Sequence, residues 1–75
     1  MILDDLSRTQ IEHLIDEYIK SERDRAILKR RLLDGVIYDD LAFEFDLSER
    51  HIKRIVYAGK EKLIKHIWLF FIYTS

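Results

Sequence analysis

The sequence contains no cysteine and no proline, and only two of its 75 residues are glycine. Without cysteine, neither a disulfide bond nor a thiolate metal site can form. The scarcity of proline and glycine argues against hairpin turns and long loops, because these residues most often interrupt regular structure. The remaining composition favours helices. A chain of this length is expected to form one domain over residues 1–75, and we predict an all-α fold of three or four helices.

The sequence also lacks the patterns that direct a chain into or across a membrane. Nothing in it approaches the ~18 consecutive apolar residues of a membrane span. The first residues, Met1-Ile2-Leu3-Asp4-Asp5, do not show a basic region followed by an apolar one. We therefore expect a cytoplasmic protein with no membrane partner.

Side chains that could support catalysis or hold a metal are not grouped in the sequence. His13, His51 and His66 have no histidine three or four residues away, so no helical metal pair is predicted. The serines are better placed to cap helices than to act as nucleophiles, and no glycine-rich phosphate loop is present. The sequence therefore predicts a protein that is not an enzyme and that binds no metal or cofactor.

Capping residues and apolar periodicity predict the first two helices. Ser7 and Gln10 have the spacing of a capping box, and an apolar stripe with helical spacing follows them. This pattern predicts a helix at about residues 8–20. Ser21 is the next capping candidate, and a segment rich in good helix formers predicts a second helix at about residues 22–34.

The same signals predict two further helices and the turn between them. Gly35 is expected to end the second helix in a left-handed conformation. An apolar stripe predicts a short helix at about residues 38–45, and Ser48 is expected to cap the helix that follows. A short helix, a tight turn and a cation-bearing helix predict a helix-turn-helix at about residues 38–57, with a recognition helix at about residues 49–65.

The net charge of −1 conceals a gradient along the chain. Residues 1–24 carry seven acidic and three basic side chains, whereas residues 47–75 carry two acidic and six basic ones. A basic helix can simply be a solvated face, or it can mark a surface for nucleic acid. The gradient therefore places any candidate nucleic-acid surface in the last third of the chain.

Residues 21–63 resemble region 4 of the sigma-70 class of bacterial transcription initiation factors. The matching positions are Glu22, Arg23, Ile27, Leu28, Arg31, Gly35, Tyr38, Leu41, Ala42, Leu47, Ser48, Ile52, Lys53, Lys62 and Leu63. Residues 8–66 are also similar to small sigma-region-4-like regulators of phages and mobile elements in Gram-positive bacteria. The resemblance implies a stand-alone, DNA-binding regulator of transcription, because the promoter-melting and polymerase-clamping regions of a complete sigma factor are missing.

Three positions depart from the family pattern. Ile37 stands where a hydroxyl residue usually caps the third helix, so that cap is expected to be missing or supplied by another group. Asp46 replaces the usual turn glycine, and aspartate tolerates the left-handed conformation better than most residues. Gly59 replaces a usual alanine, which lowers helix propensity.

Double-stranded DNA is the predicted partner, and the fourth helix is expected to supply most contacts. Arg50 and Arg54, one turn apart, have the geometry to pair with guanine, and Glu49 can accept from cytosine. Phosphate contacts are expected from Lys53, Tyr57 and Lys60, and from the N–H groups near Tyr38 at the start of the third helix. The full predicted set is Tyr38, Ser48, Glu49, Arg50, His51, Lys53, Arg54, Tyr57 and Lys60.

A protein-interaction module on the same scaffold is the alternative hypothesis. Region 4 of sigma factors also contacts RNA polymerase, so the resemblance allows a polymerase-binding or anti-sigma-like role. The acidic first helix, with Glu12, Asp16 and Glu17, would then be the interaction face.

Residues 67–75 begin with an apolar run that is too short to span a bilayer. A helix that is apolar on all sides requires burial, and three explanations remain open. The segment can cap the core, contact another protein such as polymerase, or form a homodimer. Self-association would use Ile67, Trp68, Phe70 and Phe71.

Overall fold

A computed structural model describes the backbone of residues 6–74 and the side chains of residues 6–67. This part of the chain forms four helices and contains no strand, so the prediction of an all-α four-helix domain is confirmed. In chain order the helices are α1 (Arg8–Tyr18), α2 (Glu22–Leu32), α3 (Tyr38–Phe45) and α4 (Glu49–Thr74).

Serine side chains cap three of the four helices, as predicted. At α1 the Ser7 hydroxyl accepts from the Gln10 backbone N–H at 3.2 Å. The Gln10 side chain accepts in return from the Ser7 N–H at 2.9 Å, which completes the capping box. Ser21 and Ser48 each accept from the N–H group three residues ahead, at 3.3 and 3.1 Å. These bonds satisfy donors that the first turn of a helix leaves unpaired.

The first two helices end earlier than predicted. Helix α1 stops at Tyr18, because Ile19 takes an extended conformation with φ −104° and ψ 114°. Ile19 is nevertheless buried, which explains why it fitted the apolar stripe. Helix α2 stops at Leu32, and Gly35 adopts the expected positive φ of 69° three residues later. Each of the two helices was therefore predicted two residues too long at its C-terminal end.

The core consists of two apolar clusters that share α2 and α4. Neighbouring residues of α2 separate them, because Leu28 lies in the first cluster and Ile27 in the second. Helix α1 contributes to the first cluster and α3 to the second. The first contains Ile11, Ile15, Ile19, Leu28, Leu63 and Ile67, and the second contains Ile27, Leu41, Ile52, Ile55 and Val56.

Helix α4 packs closely against Leu28 of α2 at Gly59. A Cβ atom built on Gly59 would lie 2.5 and 2.7 Å from the two Cδ atoms of Leu28, which is fully buried. The glycine expected only to weaken the helix therefore creates room for a core side chain.

Surface ion pairs link the helices at the end of α2. Asp34 accepts from Arg8 at 3.0 Å and from Arg30 at 3.4 Å. Arg30 also donates to Glu44 of α3, with its closest contact at 3.0 Å. The hydrogen bond from Arg8, followed by that from Arg30, lowers the pKa of Asp34 below its ordinary value, whereas partial desolvation opposes the shift. The network therefore connects α1, α2 and α3.

Helix α4 is 26 residues long and continues beyond the predicted recognition helix. At 1.5 Å per residue it extends about 39 Å, close to the 42 Å long dimension of the domain. No described helix combines the length and apolar character needed to cross a membrane. Ile67 is buried in the first cluster, whereas the side chains of Trp68, Phe70 and Phe71 lie outside the described residues. The three explanations for this segment therefore stay predictions.

Candidate functional site

The turn between α3 and α4 sets the direction of α4. Asp46 adopts the left-handed conformation, with φ 55° and ψ 46°. The Leu47 N–H then donates to the Ala42 carbonyl at 3.0 Å, and the Leu47 side chain packs against the second cluster. Ser48 caps the helix that follows. These contacts turn the chain within three residues, and the start of α4 packs against α3.

The first turns of α4 have one buried side and one cationic side. Ile52, Ile55 and Val56 are buried and anchor the helix on α2 and α3. Arg50 and Arg54 are exposed and lie one turn apart on the outward side. The prediction that both arginines face solvent is confirmed, because their exposure follows from the buried stripe.

The cations of α4 differ in whether a carboxylate is near. The Lys53 Nζ lies 3.6 Å from the Glu49 carboxylate. Among the described residues, no carboxylate lies within salt-bridge distance of Arg50, Arg54 or Lys60. Glu49 is therefore partly engaged by Lys53, whereas neither arginine is paired with a described carboxylate.

Tyr38 is the centre of a second group of predicted site residues. The Arg31 guanidinium carbon lies 4.3 Å from the centroid of the Tyr38 ring, and the Lys53 Nζ lies 5.6 Å from it. The Tyr57 ring meets the Tyr38 ring edge to face, with centroids 6.4 Å apart. Both distances to the cations fall within the range of cation–π attraction. The structure therefore brings Tyr38, Lys53 and Tyr57 together beside the start of α3.

Arg31 is a residue that the sequence showed only as a motif match. Besides its contact with Tyr38, it donates to the Val36 carbonyl at 3.1 Å. Ile37, the next residue, occupies the N-cap of α3 and makes no side-chain capping bond. Arg31 thus fixes the backbone just before a helix start that lacks its usual cap. Arg31 and Val36 are only five positions apart, but the motif match did not predict their contact.

His51 lies on a different side of α4 from the tyrosines. It is half-buried, and its backbone N–H donates to the Ser48 hydroxyl. Its side chain lines a groove together with Arg54 and three basic residues that were not predicted as site residues: Lys20, Arg23 and Lys62.

A carboxylate interrupts the cations on the outward side of α4. Arg50, Arg54, Tyr57 and Glu61 follow one another at intervals of three or four residues, which places them along one face. Glu61 is exposed and reverses the sign of the charge about 16 Å from Arg50, at 1.5 Å per residue. Glu61 therefore separates Arg50 and Arg54 from Lys65, the next exposed cation on this face.

Metal binding has no support in the described part of the chain, where no group of three or more suitable histidine or carboxylate side chains occurs. No family model matches the sequence, and neither the curated proteins nor the solved structures contain a match. The function is therefore inferred from the sequence and the geometry described above.

Proposed function

We propose that the protein binds double-stranded DNA sequence-specifically and regulates transcription. In this proposal α3 and α4 act as a helix-turn-helix, and the first three turns of α4 enter the major groove. The sigma-region-4-like pattern of the sequence supports the same function.

The observation that carries the proposal is the exposed pair Arg50 and Arg54 on an anchored helix. An α-helix with its side chains is about 10–12 Å wide, and the major groove is about 12 Å wide. Arginine is suited to bidentate contact with the O6 and N7 atoms of guanine. Because Ile52, Ile55 and Val56 fix the helix on the core, the arginines require little reorganisation to reach base edges.

Phosphate contacts are assigned to the side of α4 that faces α3. Lys53 and Lys60 are two turns apart on this side, and Tyr38 and Tyr57 lie beside Lys53. Such contacts orient the protein on the duplex without reading the sequence.

Selection of binding sites from a pool of random duplexes tests the base-reading role. The Arg50→Ala, Arg54→Ala double variant should lose the preferred site and retain weak binding to any duplex, because each arginine contact is worth about 1–3 kcal/mol of discrimination. Lys65→Ala is the matched control, since Lys65 is an exposed cation further along the same helix. If the double variant selects the same site as the wild type, the assignment is wrong.

Lys60→Ala tests the phosphate-binding role. This variant should weaken binding to all sequences about equally and reduce the slope of log affinity against log salt by about one. The measurement is fluorescence anisotropy with a labelled duplex at several salt concentrations. An unchanged slope together with an altered base preference would contradict the role.

The alternative role as a protein-interaction module through the acidic face of α1 has weaker support. Asp16 pairs with Lys29 at 2.7 Å, and Glu12 pairs with Arg8 at 3.5 Å. Two of the three acidic residues are thus engaged within the chain. Absence of duplex binding even at low salt, with co-purification of RNA polymerase subunits, would favour this alternative.

A further inference from the structure

A groove of about 460 Å³ separates the start of α2 from the side of α4 that faces away from α3. Its floor is apolar and includes Leu28, Ile55 and Ala58. Lys20 and Ser21, in the connection between α1 and α2, also line the groove. The groove therefore combines a segment outside the α3–α4 pair with the exposed surface of α4.

The rim of the groove is strongly basic. Five basic or titratable side chains and a single carboxylate, that of Asp24, line it: Lys20, Arg23, His51, Arg54 and Lys62. The Asp24 carboxylate accepts two hydrogen bonds from its neighbour Arg23, both at 3.2 Å. Among the described residues, no carboxylate is within salt-bridge distance of Lys20, Arg54 or Lys62.

Cations that share a groove without a counter-charge repel one another, and an anion between them relieves that repulsion. The Asp24 carboxylate is already paired with Arg23. It therefore does not neutralise Lys20, Arg54 or Lys62. The charge and the open shape of the groove are suited to an extended polyanion.

The position of the groove around α4 is the basis for choosing among polyanionic partners. At 100° per residue, His51 and Lys62 lie about half a turn around the helix from Lys53 and Lys60. Arg50 and Arg54 lie between these two basic sides. A helix in the major groove has one phosphate backbone on each side of it.

We propose that this groove binds the sugar–phosphate backbone of the second DNA strand, opposite the strand contacted by Lys53 and Lys60. Lys20 and Lys62 supply the main contacts, and Arg54 is positioned between the groove and the base edges. This inference rests on the proposed function and extends the DNA interface to the α1–α2 connection.

The test is the Lys20→Ala, Lys62→Ala double variant of the full chain, measured by fluorescence anisotropy at several salt concentrations. Each phosphate contact contributes about 0.9 to the slope of log affinity against log salt. The slope should therefore decrease by about two, whereas the sequence selected from random duplexes should not change. Lys65→Ala, on α4 but outside this groove, should keep the wild-type slope.

Ethylation interference locates the contacts on the DNA. Ethylated phosphates that block wild-type binding should lie on both strands of the selected site. Those on one strand should lose their effect in the Lys20→Ala, Lys62→Ala variant, and those on the other strand should lose it in Lys60→Ala. Circular dichroism of each variant checks that the helices are retained.

A wild-type salt slope in the folded double variant would overturn the assignment of the groove. Loss of site selection in Arg50→Ala, Arg54→Ala would still support the proposed function in that case. Saturable binding of inorganic phosphate in the groove, with no change in the DNA salt slope, would assign it to a free anion and also overturn the inference. If the wild-type protein binds no duplex at low salt, the proposed function fails, and the inference fails with it.

Discussion

Gly59 allows α4 to pack closely against α2 because it has no side chain. Adding a methyl group there improves helix propensity by about 1 kcal/mol. It also places a carbon 2.5 Å from a Cδ atom of Leu28, a side chain with no exposed surface. Overpacking of this kind costs about 1–3 kcal/mol, so the steric term should exceed the gain in propensity.

We therefore expect Gly59→Ala to lower the free energy of unfolding by up to about 2 kcal/mol. In a Leu28→Ala background the obstructing Cδ atoms are gone, and the same substitution should stabilise the protein by about 1 kcal/mol. Urea denaturation of the four proteins gives the coupling between the two sites. Equal effects of Gly59→Ala in both backgrounds would contradict the steric explanation.

Among the elements, α3 is the helix whose start is least well stabilised locally. Ile37 has the extended conformation of an N-cap, with φ −70° and ψ 155°, but its side chain cannot accept a hydrogen bond. The side chain is also 57% exposed, so replacing it sacrifices little buried surface. Acidic residues in the first turn, Asp39 and Asp40, partly compensate by interacting with the helix dipole.

Ile37→Ser should raise the free energy of unfolding by about 1 kcal/mol, because serine supplies the missing acceptor. Ser48→Ala is the reverse experiment at α4 and should lower it by a similar amount. Thermal and urea denaturation measure both changes. A loss of stability in Ile37→Ser would show that the contacts of the isoleucine outweigh the cap.

At the scale of the whole molecule, acid should weaken the ion pairs that join the helices. The pKa of Asp34 is lower in the folded protein than in the unfolded chain, mainly because Arg8 donates to it. A depressed pKa gives stabilisation that is present above the unfolded-state pKa, about 3.9 for aspartate. This stabilisation is lost as the pH falls through the folded-state pKa.

The free energy of unfolding should therefore decrease in acid more steeply for the wild type than for Asp34→Asn. Denaturant titrations from about pH 7 to about pH 3 measure this difference. Glu61→Gln is a suitable control, because no cation of the described residues lies within salt-bridge distance of Glu61. Parallel pH profiles for Asp34→Asn and the wild type would contradict the role given to Arg8.

The association state also belongs to the whole molecule, and a shortened chain tests it. A chain ending at Ile67 keeps that buried residue in the first cluster but removes Trp68, Phe70 and Phe71. If these aromatic residues join two copies, sedimentation velocity should show concentration-dependent dimers for the full chain and folded monomers for the shortened one. Identical sedimentation of both chains over the same concentrations would argue against a dimer.

The sequence predicted the elements well because their signals are local. The three serine caps, the apolar stripes and the positive φ of Gly35 depend on residues within one or two turns. The contact of Arg31 with Tyr38 and the approach of Leu28 to Gly59 instead join residues of different helices. Periodicity contains no information about such distances.

At the candidate site, too, local features were predicted and contacts between helices were not. Arg50 and Arg54 were predicted to be exposed because the buried stripe of α4 fixes their direction. Lys20 was not predicted as a site residue, since it becomes a neighbour of Lys62 only when α1 and α2 pack on α4. Such a groove between elements becomes visible only after the helices have been assembled.

The division of the core into two clusters has a kinetic consequence. Helix α1 packs only in the first cluster, whereas α3 and the first turns of α4 depend on the second. Local opening of α1 would then leave the arginine-bearing surface assembled while Lys20 moves away from the groove. Amide hydrogens of α1 are expected to exchange with solvent faster than those of α3-facing residues in α4. If the protein binds DNA as proposed, opening of α1 would release the second-strand contacts while the base contacts persist.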